Sequence, residues 1–137
     1  MNEQQRRDVV LVVDDSPDTL TLINDTLESS GMDVLLALDG KQALMIARRI
    51  RPDVILMDIN LPGISGIDAL KVLRADPATA HIPVVAISAN AMLRDIEVGR
   101  QLGFFRYLTK PIVVEEFMTT LDLALESAQK NTGLISS

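Results

Sequence analysis

The stretch VVLVVDDSP at residues 9–17 indicates the fold class of the chain. Its first five residues are apolar and mostly β-branched, a pattern typical of a central strand in a parallel sheet, where both faces are buried. Ser16 then offers an N-cap and Pro17 a first helical residue, so a helix should begin directly after the strand. Asp14 and Asp15, between the strand and Ser16, would then lie at the carboxyl end of the strand.

Strand and helix patterns alternate five times along the chain. Strands are predicted at about residues 8–13, 33–37, 54–57, 82–87 and 104–108. Such strict alternation predicts an α/β fold in which a parallel sheet has right-handed crossovers and helices on both faces. Five units of this size suit a flavodoxin-like, doubly wound sheet of five strands in the order 2-1-3-4-5, with five helices.

The predicted helices carry apolar stripes that should face the sheet. The fourth helix is predicted at about 91–102, ended by Gly103, and the fifth at about 114–128. Residues 8–128 should form one domain, with tails at 1–7 and 129–137. The stripe residues are Leu20, Ile23 and Leu27 in the first helix, Ala43, Ile46, Ala47 and Ile50 in the second, Leu70 and Leu73 in the third, and Phe117, Leu121, Ala124 and Leu125 in the fifth.

Polar side chains follow four of the predicted strands. Asp14 and Asp15 follow the first strand, Asp58 the third, Ser88 the fourth and Lys110 the fifth. The carboxyl ends of parallel strands share one edge of the sheet, where ligands bind. Each of these residues could be explained singly as an N-cap, a turn residue or a surface charge. Their joint occurrence at four strand ends instead indicates one small pocket.

The chemistry of that pocket suits a divalent metal and a phosphoryl group. Three carboxylates in close proximity repel one another unless a cation intervenes. Mg²⁺ prefers oxygen ligands and keeps several waters, so two carboxylates and a carbonyl would suffice. Asp58 could then attack a phosphoryl group, since carboxylates are known nucleophiles that form aspartyl-phosphates. Lys110 and the metal would neutralise the charge of the transferring group, and the Ser88 hydroxyl could donate to a phosphoryl oxygen.

Composition excludes several other classes of function. The 137 residues are 47% hydrophobic and 23% charged, as expected for one soluble globular domain. Cysteine is absent and His81 is the single histidine, which excludes disulfides, thiolate sites and multi-histidine zinc sites. A net charge of −6 and 3% aromatic residues argue against nucleic-acid binding. No apolar run approaches the ~20 residues of a membrane span, and the polar residues 1–7 lack the apolar stretch of a signal peptide. We therefore expect a cytoplasmic protein.

The motifs together resemble the receiver domain of two-component response regulators, the family of the chemotaxis response regulator. The resemblance covers about residues 8–128. It is carried by Asp14-Asp15, by Asp58 before Asn60-Leu61-Pro62-Gly63, by Ser88-Ala89 and by Lys110-Pro111. The segment 88–92 is also similar to receivers attached to hybrid sensor kinases.

The resemblance implies a role for each motif residue. Asp58 would be the phosphoacceptor of a histidine–aspartate phosphorelay. The metal, Mg²⁺ or alternatively Mn²⁺, would be bound by Asp15, Asp58 and the backbone carbonyl of Asn60, with Asp14 acting through water. Ser88 would be the switch hydroxyl and Lys110 the lysine that precedes a cis peptide. Such a domain is not an enzyme acting on other molecules but a signalling domain that catalyses its own phosphorylation and dephosphorylation.

Further implications concern signalling. Phosphorylation should draw Ser88 towards the phosphoryl group, and Tyr107, the switch aromatic, should then turn inward. Phe105, expected on the opposite face from Tyr107, would add an apolar contact to a surface made by helix 4, strand 5 and helix 5. The implied partners are a sensor histidine kinase or histidine phosphotransfer protein upstream, and a downstream protein or second copy of the chain at that surface. Neither nucleic acid nor membrane is expected as a partner.

Alternatives follow from the same residues. The chain could be a receiver excised from a hybrid histidine kinase, although its start at Met1 favours a stand-alone regulator. A degenerate receiver acting as a static interaction module is the other alternative. A dehalogenase-type phosphatase would need Asp-x-Asp after the first strand, which Asp14-Asp15-Ser16 does not fit. A flavodoxin-like cofactor binder would need a Ser/Thr/Gly-rich phosphate loop there, but Ser16-Pro17-Asp18-Thr19 lacks the glycines. One feature departs from the family: the bulky Phe104 follows Gly103, where the family usually has a small residue. Asn60 and Asn90 are expected beside the pocket, at positions that vary within the family.

Overall fold

The five predicted strands form one parallel sheet in the predicted order. A computed structural model of the chain describes residues 7–89 and 93–136. The strand order is β2-β1-β3-β4-β5, and every neighbouring pair is parallel. The flavodoxin-like α/β prediction is therefore confirmed. The strands are β1 (Val9–Val13), β2 (Asp33–Ala37), β3 (Val54–Asp58), β4 (Val84–Ser88) and β5 (Arg106–Thr109).

Five helices connect and follow the strands. They are α1 (Pro17–Ser29), α2 (Gly40–Ile50), α3 (Gly66–Ala75), α4 (Leu93–Leu102) and α5 (Val114–Ser136). The last helix is longer than the predicted 114–128, because no proline interrupts the chain beyond residue 128 and Gly133 alone only weakens a helix. The predicted first turn of α4, at residues 91–92, lies outside the described residues, as do residues 1–6 of the predicted tail.

The sheet separates two apolar layers, because successive residues of each strand face opposite sides. On one side, Val10, Val12 and Leu56 pack with Ile23 and Leu27 of α1 and with Phe117 and Leu121 of α5. On the other side lie Leu11, Val13, Ile55 and Met57 with Ala43 and Ala47 of α2 and Leu70 and Leu73 of α3. The predicted helix stripes are thus largely confirmed. Strands β3 and β4 are buried along their whole length, including Asp58 and Ser88 at their carboxyl ends.

One local prediction was wrong, and another was confirmed in position but without the expected side-chain contact. Ile50 is 54% exposed rather than buried, because it is the last residue of α2 and the chain turns away at Arg51, whose φ is 54°. Ser16 occupies the N-cap position of α1, but its side chain makes no capping hydrogen bond. Its backbone N–H instead donates to Asp14 Oδ1 at 2.8 Å. The loop at this position therefore orients an acidic side chain.

The fifth strand begins at Arg106 rather than at the predicted residue 104. The Phe105 N–H donates to the Val84 carbonyl at 2.7 Å, but regular pairing with β4 starts one residue later. Phe104 and Tyr107 pack on the side of the sheet that carries α2 and α3, whereas Phe105 packs on the side of α1 and α5. The expected opposite facing of Phe105 and Tyr107 is confirmed, since the chain enters the strand irregularly.

Candidate functional site

The three predicted acidic residues converge at the carboxyl edge of the sheet. Carboxylate oxygens of Asp14, Asp15 and Asp58 all lie within 4.8 Å of one another. Asp14 and Asp15 follow β1, and Asp58 is the last residue of the neighbouring strand β3. Asp14 and Asp58 are buried, whereas Asp15 is exposed. The pocket therefore has two enclosed carboxylates and one at its entrance.

Asp14 is the most enclosed charge of the site. Its side chain is fully buried, and its Oδ1 accepts a hydrogen bond from the Ser16 N–H. Its Oδ2 lies 3.0 Å from Lys110 Nζ in an ion pair, but within the described part of the chain it has no partner with hydrogen-bond geometry. A buried carboxylate oxygen that lacks a well-directed donor is suited to a cation or to a water bound to one.

Asp58 is held from both of its carboxylate oxygens. Oδ1 accepts from the Asn60 N–H at 2.8 Å, and Oδ2 accepts from Lys110 Nζ at 3.1 Å. The backbone beneath Asp58 is packed tightly, since a Cβ on Gly66 would lie 2.6 Å from the Asp58 carbonyl oxygen. The first turn of α3 therefore approaches the strand end as closely as glycine allows. In the sequence, Gly66 is one of several helix breakers in the loop after Asp58, and no local signal distinguishes this contact.

Lys110 is positioned by the end of β5. Its N–H donates to the Ser88 carbonyl at 2.9 Å, and the Lys110–Pro111 peptide is cis, as the resemblance implied. Burial by itself lowers the pKa of the Lys110 ammonium, but its close contacts with the negatively charged Asp14 and Asp58 carboxylates outweigh burial and raise the pKa above its ordinary value. The lysine is therefore a fixed positive charge between two buried carboxylates.

Ser88 completes the pocket from the neighbouring strand β4. The residue is buried, and the Asn60 Nδ2 lies 3.5 Å from its Oγ, a long contact at the limit of a hydrogen bond. Asn60 thus spans from Asp58, through its N–H, to Ser88, through its side-chain amide. Asn90, the other residue predicted beside the pocket, lies outside the described residues.

The predicted switch aromatic lies away from the acidic cluster. Tyr107 is half-buried on β5, opposite Ala86 of β4, and packs towards α4. Ser88, also on β4, faces Thr109 in the same register. The hydroxyl and the aromatic ring are therefore on one pair of strands and two residues apart along it.

The donor set fits a divalent cation. Three carboxylates, one of them exposed, place oxygen ligands within 4.8 Å of one another, beside the Lys110 ammonium group. Oxygen donors of this kind are those that Mg²⁺ and Mn²⁺ bind. Among the described helices, none is sufficiently long and apolar to cross a membrane.

Comparison with known proteins identifies the family. The sequence matches the response regulator receiver domain over residues 10–122. The polar-differentiation response regulator DivK of Brucella anthropi is 42% identical over 119 residues, which cover 87% of this chain and 97% of that protein.

Solved structures agree with the sequence match. The chemotaxis response regulator CheY4 of Vibrio cholerae superimposes with a TM-score of 0.81 at 29% identity, covering 87% of this chain and 99% of that one. The receiver domain of a sensor histidine kinase from Pseudomonas aeruginosa, solved with a magnesium ion coordinated in its active-site cleft, gives 0.81 at 36% identity, covering 88% and 99%. The acidic cluster at the sheet edge, the lysine that joins two of its members and these matches together show that the chain belongs to the response regulator receiver domains of two-component signalling.

Proposed function

We propose that Asp58 accepts a phosphoryl group in a reaction that requires a divalent cation. The observation that carries this proposal is the contact of one ammonium group, Lys110 Nζ, with both Asp14 Oδ2 and Asp58 Oδ2, inside a cluster of three carboxylates. The ammonium leaves the cluster with an excess of negative charge. A further anion can enter only if another cation compensates that charge.

The chain supplies the nucleophile and part of the charge compensation. A carboxylate oxygen of Asp58 forms a bond to phosphorus, and the bond from phosphorus to the leaving group breaks, the electron pair departing with that group. Lys110 stabilises charge on the transferring oxygens, and the Asn60 N–H orients Asp58 through Oδ1. Asp15, Asp58 and the Asn60 carbonyl would hold Mg²⁺ or Mn²⁺, with Asp14 acting through water. The ion supplies charge neutralisation for the phosphoryl oxygens.

Self-catalysed phosphorylation and dephosphorylation follow from the same groups. The donor would be a phosphohistidine of a sensor kinase or histidine phosphotransfer protein, or a small acyl phosphate. Hydrolysis would then return Asp58 to its free carboxylate. This proposal is supported by the enclosure of Asp58, which is 4% exposed, beside an exposed Asp15 at the entrance.

We infer that the phosphoryl group is read at the α4–β5–α5 surface. The Ser88 hydroxyl would move towards a phosphoryl oxygen, and Tyr107 would turn inward into the space that this releases. A ligand shifts such an equilibrium only by its different affinities for the two arrangements. The partner at this surface would be a downstream protein or a second copy of the chain. Half-buried Phe105 and Tyr107 provide apolar area there.

Intact-mass spectrometry after incubation with acetyl phosphate tests the acceptor. Wild type should be labelled once with Mg²⁺ and remain unlabelled in excess chelator, and Asp58→Asn should remain unlabelled. Asp122→Asn, a control at an exposed acidic residue of α5, should be labelled like wild type. Undiminished labelling of Asp58→Asn, or labelling in chelator, would contradict the assignment.

Amide chemical shifts before and after addition of beryllofluoride with Mg²⁺ test the response. Changes should extend from the Asp58 pocket along residues 88–110. Changes confined to the pocket would show that no switch exists. The domain would then act as a static interaction module, the alternative that the sequence left open.

A further inference from the structure

Gly99, in the interior of α4, lies directly beneath an aromatic ring. A Cβ built on Gly99 would be 2.9 Å from Tyr107 Cδ2 and 3.3 Å from Tyr107 Cε2. It would also be 3.6 Å from Phe104 Cδ2, an ordinary contact distance. Gly99 is buried, and Tyr107 is half-buried. The tyrosine ring thus packs on the helix backbone itself, closer than any side chain at position 99 would permit.

The backbone conformation does not explain the glycine at position 99. Gly99 lies within the helix, whereas the described glycines with positive φ are Gly31, Gly63 and Gly103. Glycine is the least favourable residue after proline in a helix interior, because it loses the most conformational freedom on folding. At this position the close approach of the ring is therefore what requires a glycine.

Phe104, at the turn into β5, also packs against Gly99. It is 5% exposed, and its N–H donates to the Gly99 carbonyl at 3.2 Å. A Cβ at position 99 would still lie at an ordinary contact distance from Phe104, so the contact that requires a glycine is the one with Tyr107.

We propose that Gly99 is a positioning residue that seats the Tyr107 ring on α4 when no phosphoryl group is bound. The proposal rests on the proposed function only in giving Tyr107 the role of switch aromatic. This seat, the close packing of the Tyr107 ring on the Gly99 backbone, stabilises the resting arrangement of the α4–β5–α5 surface. The strength of that packing determines how readily the ring leaves α4. A methyl group at position 99 removes the seat, because its nearest neighbour is a ring held by the strand backbone.

Tyr107 itself reports on the seat. It is the single tyrosine of a chain that has no tryptophan, so intrinsic fluorescence comes from this residue alone. Without metal or phosphoryl mimic, Gly99→Ala should raise the acrylamide quenching constant of this fluorescence and shift the ring resonances in NMR spectra. Glu97→Ala, at an exposed position on the same helix, should leave both unchanged. A Gly99→Ala variant with wild-type quenching and ring resonances would overturn the proposal.

A double-mutant cycle separates a seat for Tyr107 from a general need for glycine. In the wild-type background, Gly99→Ala should lower the urea midpoint of unfolding. In a Tyr107→Ala background the same change should leave the midpoint unchanged or raise it, because alanine is the better helix former and the clash is gone. If Gly99→Ala does not fold but the double variant does, the seat is supported. A decrease of similar size in both backgrounds, or failure of both to fold, would overturn it.

The outcome is distinguishable from that of the proposed function. Acetyl phosphate labelling of Asp58 in wild type and in Gly99→Ala is measured in parallel. Absent labelling in wild type would contradict the phosphoacceptor assignment without changing the quenching result. Normal labelling with unchanged quenching in Gly99→Ala would contradict the seat alone. Normal labelling with increased quenching is the expected pair of results.

Discussion

Lys110 Nζ lies 3.1 Å from Asp58 Oδ2, although the two residues are 52 positions apart in the chain. Asp58 ends β3 and Lys110 follows β5, and β4 is the one strand between them in the sheet. The Ser88 carbonyl at the end of β4 accepts the Lys110 N–H, which holds Lys110 close to the end of β3. The same ammonium contacts Asp14 at 3.0 Å. Lys110 therefore links the ends of β1, β3 and β5, and its charge compensates two buried carboxylates.

Lys110→Met should impair phosphorylation far more than metal binding. All three carboxylates remain, so the affinity for Mg²⁺, measured by calorimetric titration, should be largely retained. The initial rate of Asp58 labelling by acetyl phosphate should fall by about 10²-fold, a loss typical of removing one group that stabilises transition-state charge. The beryllofluoride response along residues 88–110 should also be lost. Lys41→Met, at an exposed lysine on α2, is the control. Lost Mg²⁺ affinity with an intact response would contradict this role.

The stability that Lys110 contributes should depend on pH in the alkaline range. Its pKa is raised in the folded protein from an ordinary value of 10.5, so the folded state binds the proton more tightly than the unfolded state. The contribution is then fully present below pH 10.5 and is lost as the pH rises through the folded-state pKa. We therefore subtract the free energy of unfolding of Lys110→Met from that of wild type. This difference should be constant up to that pH and should decrease above it.

Urea unfolding at a series of pH values measures that difference, because titrations common to both proteins cancel. Lys41→Met serves as the matched control, and its difference from wild type should show no such alkaline change. If the free energy of unfolding of wild type relative to Lys110→Met instead increases as the pH rises above 10.5, the ion-pair geometry would be contradicted.

Gly66→Ala should destabilise the fold by about 1–3 kcal/mol, the usual cost of overpacking a rigid site. The added Cβ would meet the Asp58 carbonyl oxygen at 2.6 Å and Ile59 Cα at 2.8 Å, both backbone atoms that cannot rotate away. Asp58 labelling should slow as well, since α3 begins against that strand end. Chemical denaturation and the labelling rate measure the two effects.

Gly63→Asn is the control for that substitution. Gly63 has a φ of +74° and open space around it, and asparagine tolerates the left-handed conformation. Its free energy of unfolding should change by no more than about 0.5 kcal/mol. Equal effects of the two substitutions would show that the close approach at Gly66 is unimportant.

Arg74→Met should loosen the turn that leads into β5. The Arg74 guanidinium donates to the carbonyls of Ala80 at 3.2 Å, Ile82 at 2.7 Å and Gly103 at 3.2 Å, and burial lowers its pKa. Leaving such partly buried acceptors without a donor costs about 1–3 kcal/mol. Unfolding measurements should show this loss, and the amides of residues 103–105 should exchange hydrogen faster.

Arg48→Met is the matched control for Arg74. Arg48 is 72% exposed and pairs with Asp76 at 3.1 Å, and exposed ion pairs contribute about 0–1 kcal/mol. Its removal should leave exchange at residues 103–105 unchanged. If Arg48→Met destabilises the protein as much as Arg74→Met, the carbonyl contacts of Arg74 contribute no more to the free energy of unfolding than an exposed ion pair does.

Sequence patterns were enough to predict the five strands approximately, their order in the sheet and the residues that meet at its edge. Apolar runs such as Val9–Val13 and Val54–Met57 are long enough to be read without a structure, and strict alternation with helices leaves few topologies. Because the carboxyl ends of parallel strands share one edge, the convergence of Asp14, Asp15, Asp58 and Lys110 followed from their positions alone.

Which of these side chains are enclosed, and how closely the elements approach, follows from packing in three dimensions. Asp14 and Asp15 are adjacent in sequence, yet one is buried and the other exposed. Gly66 and Gly99 resemble ordinary glycines until the backbone or ring that contacts each is placed. Periodicity reports which face of an element is apolar, whereas these distances depend on packing between segments remote in the chain, which no local pattern contains.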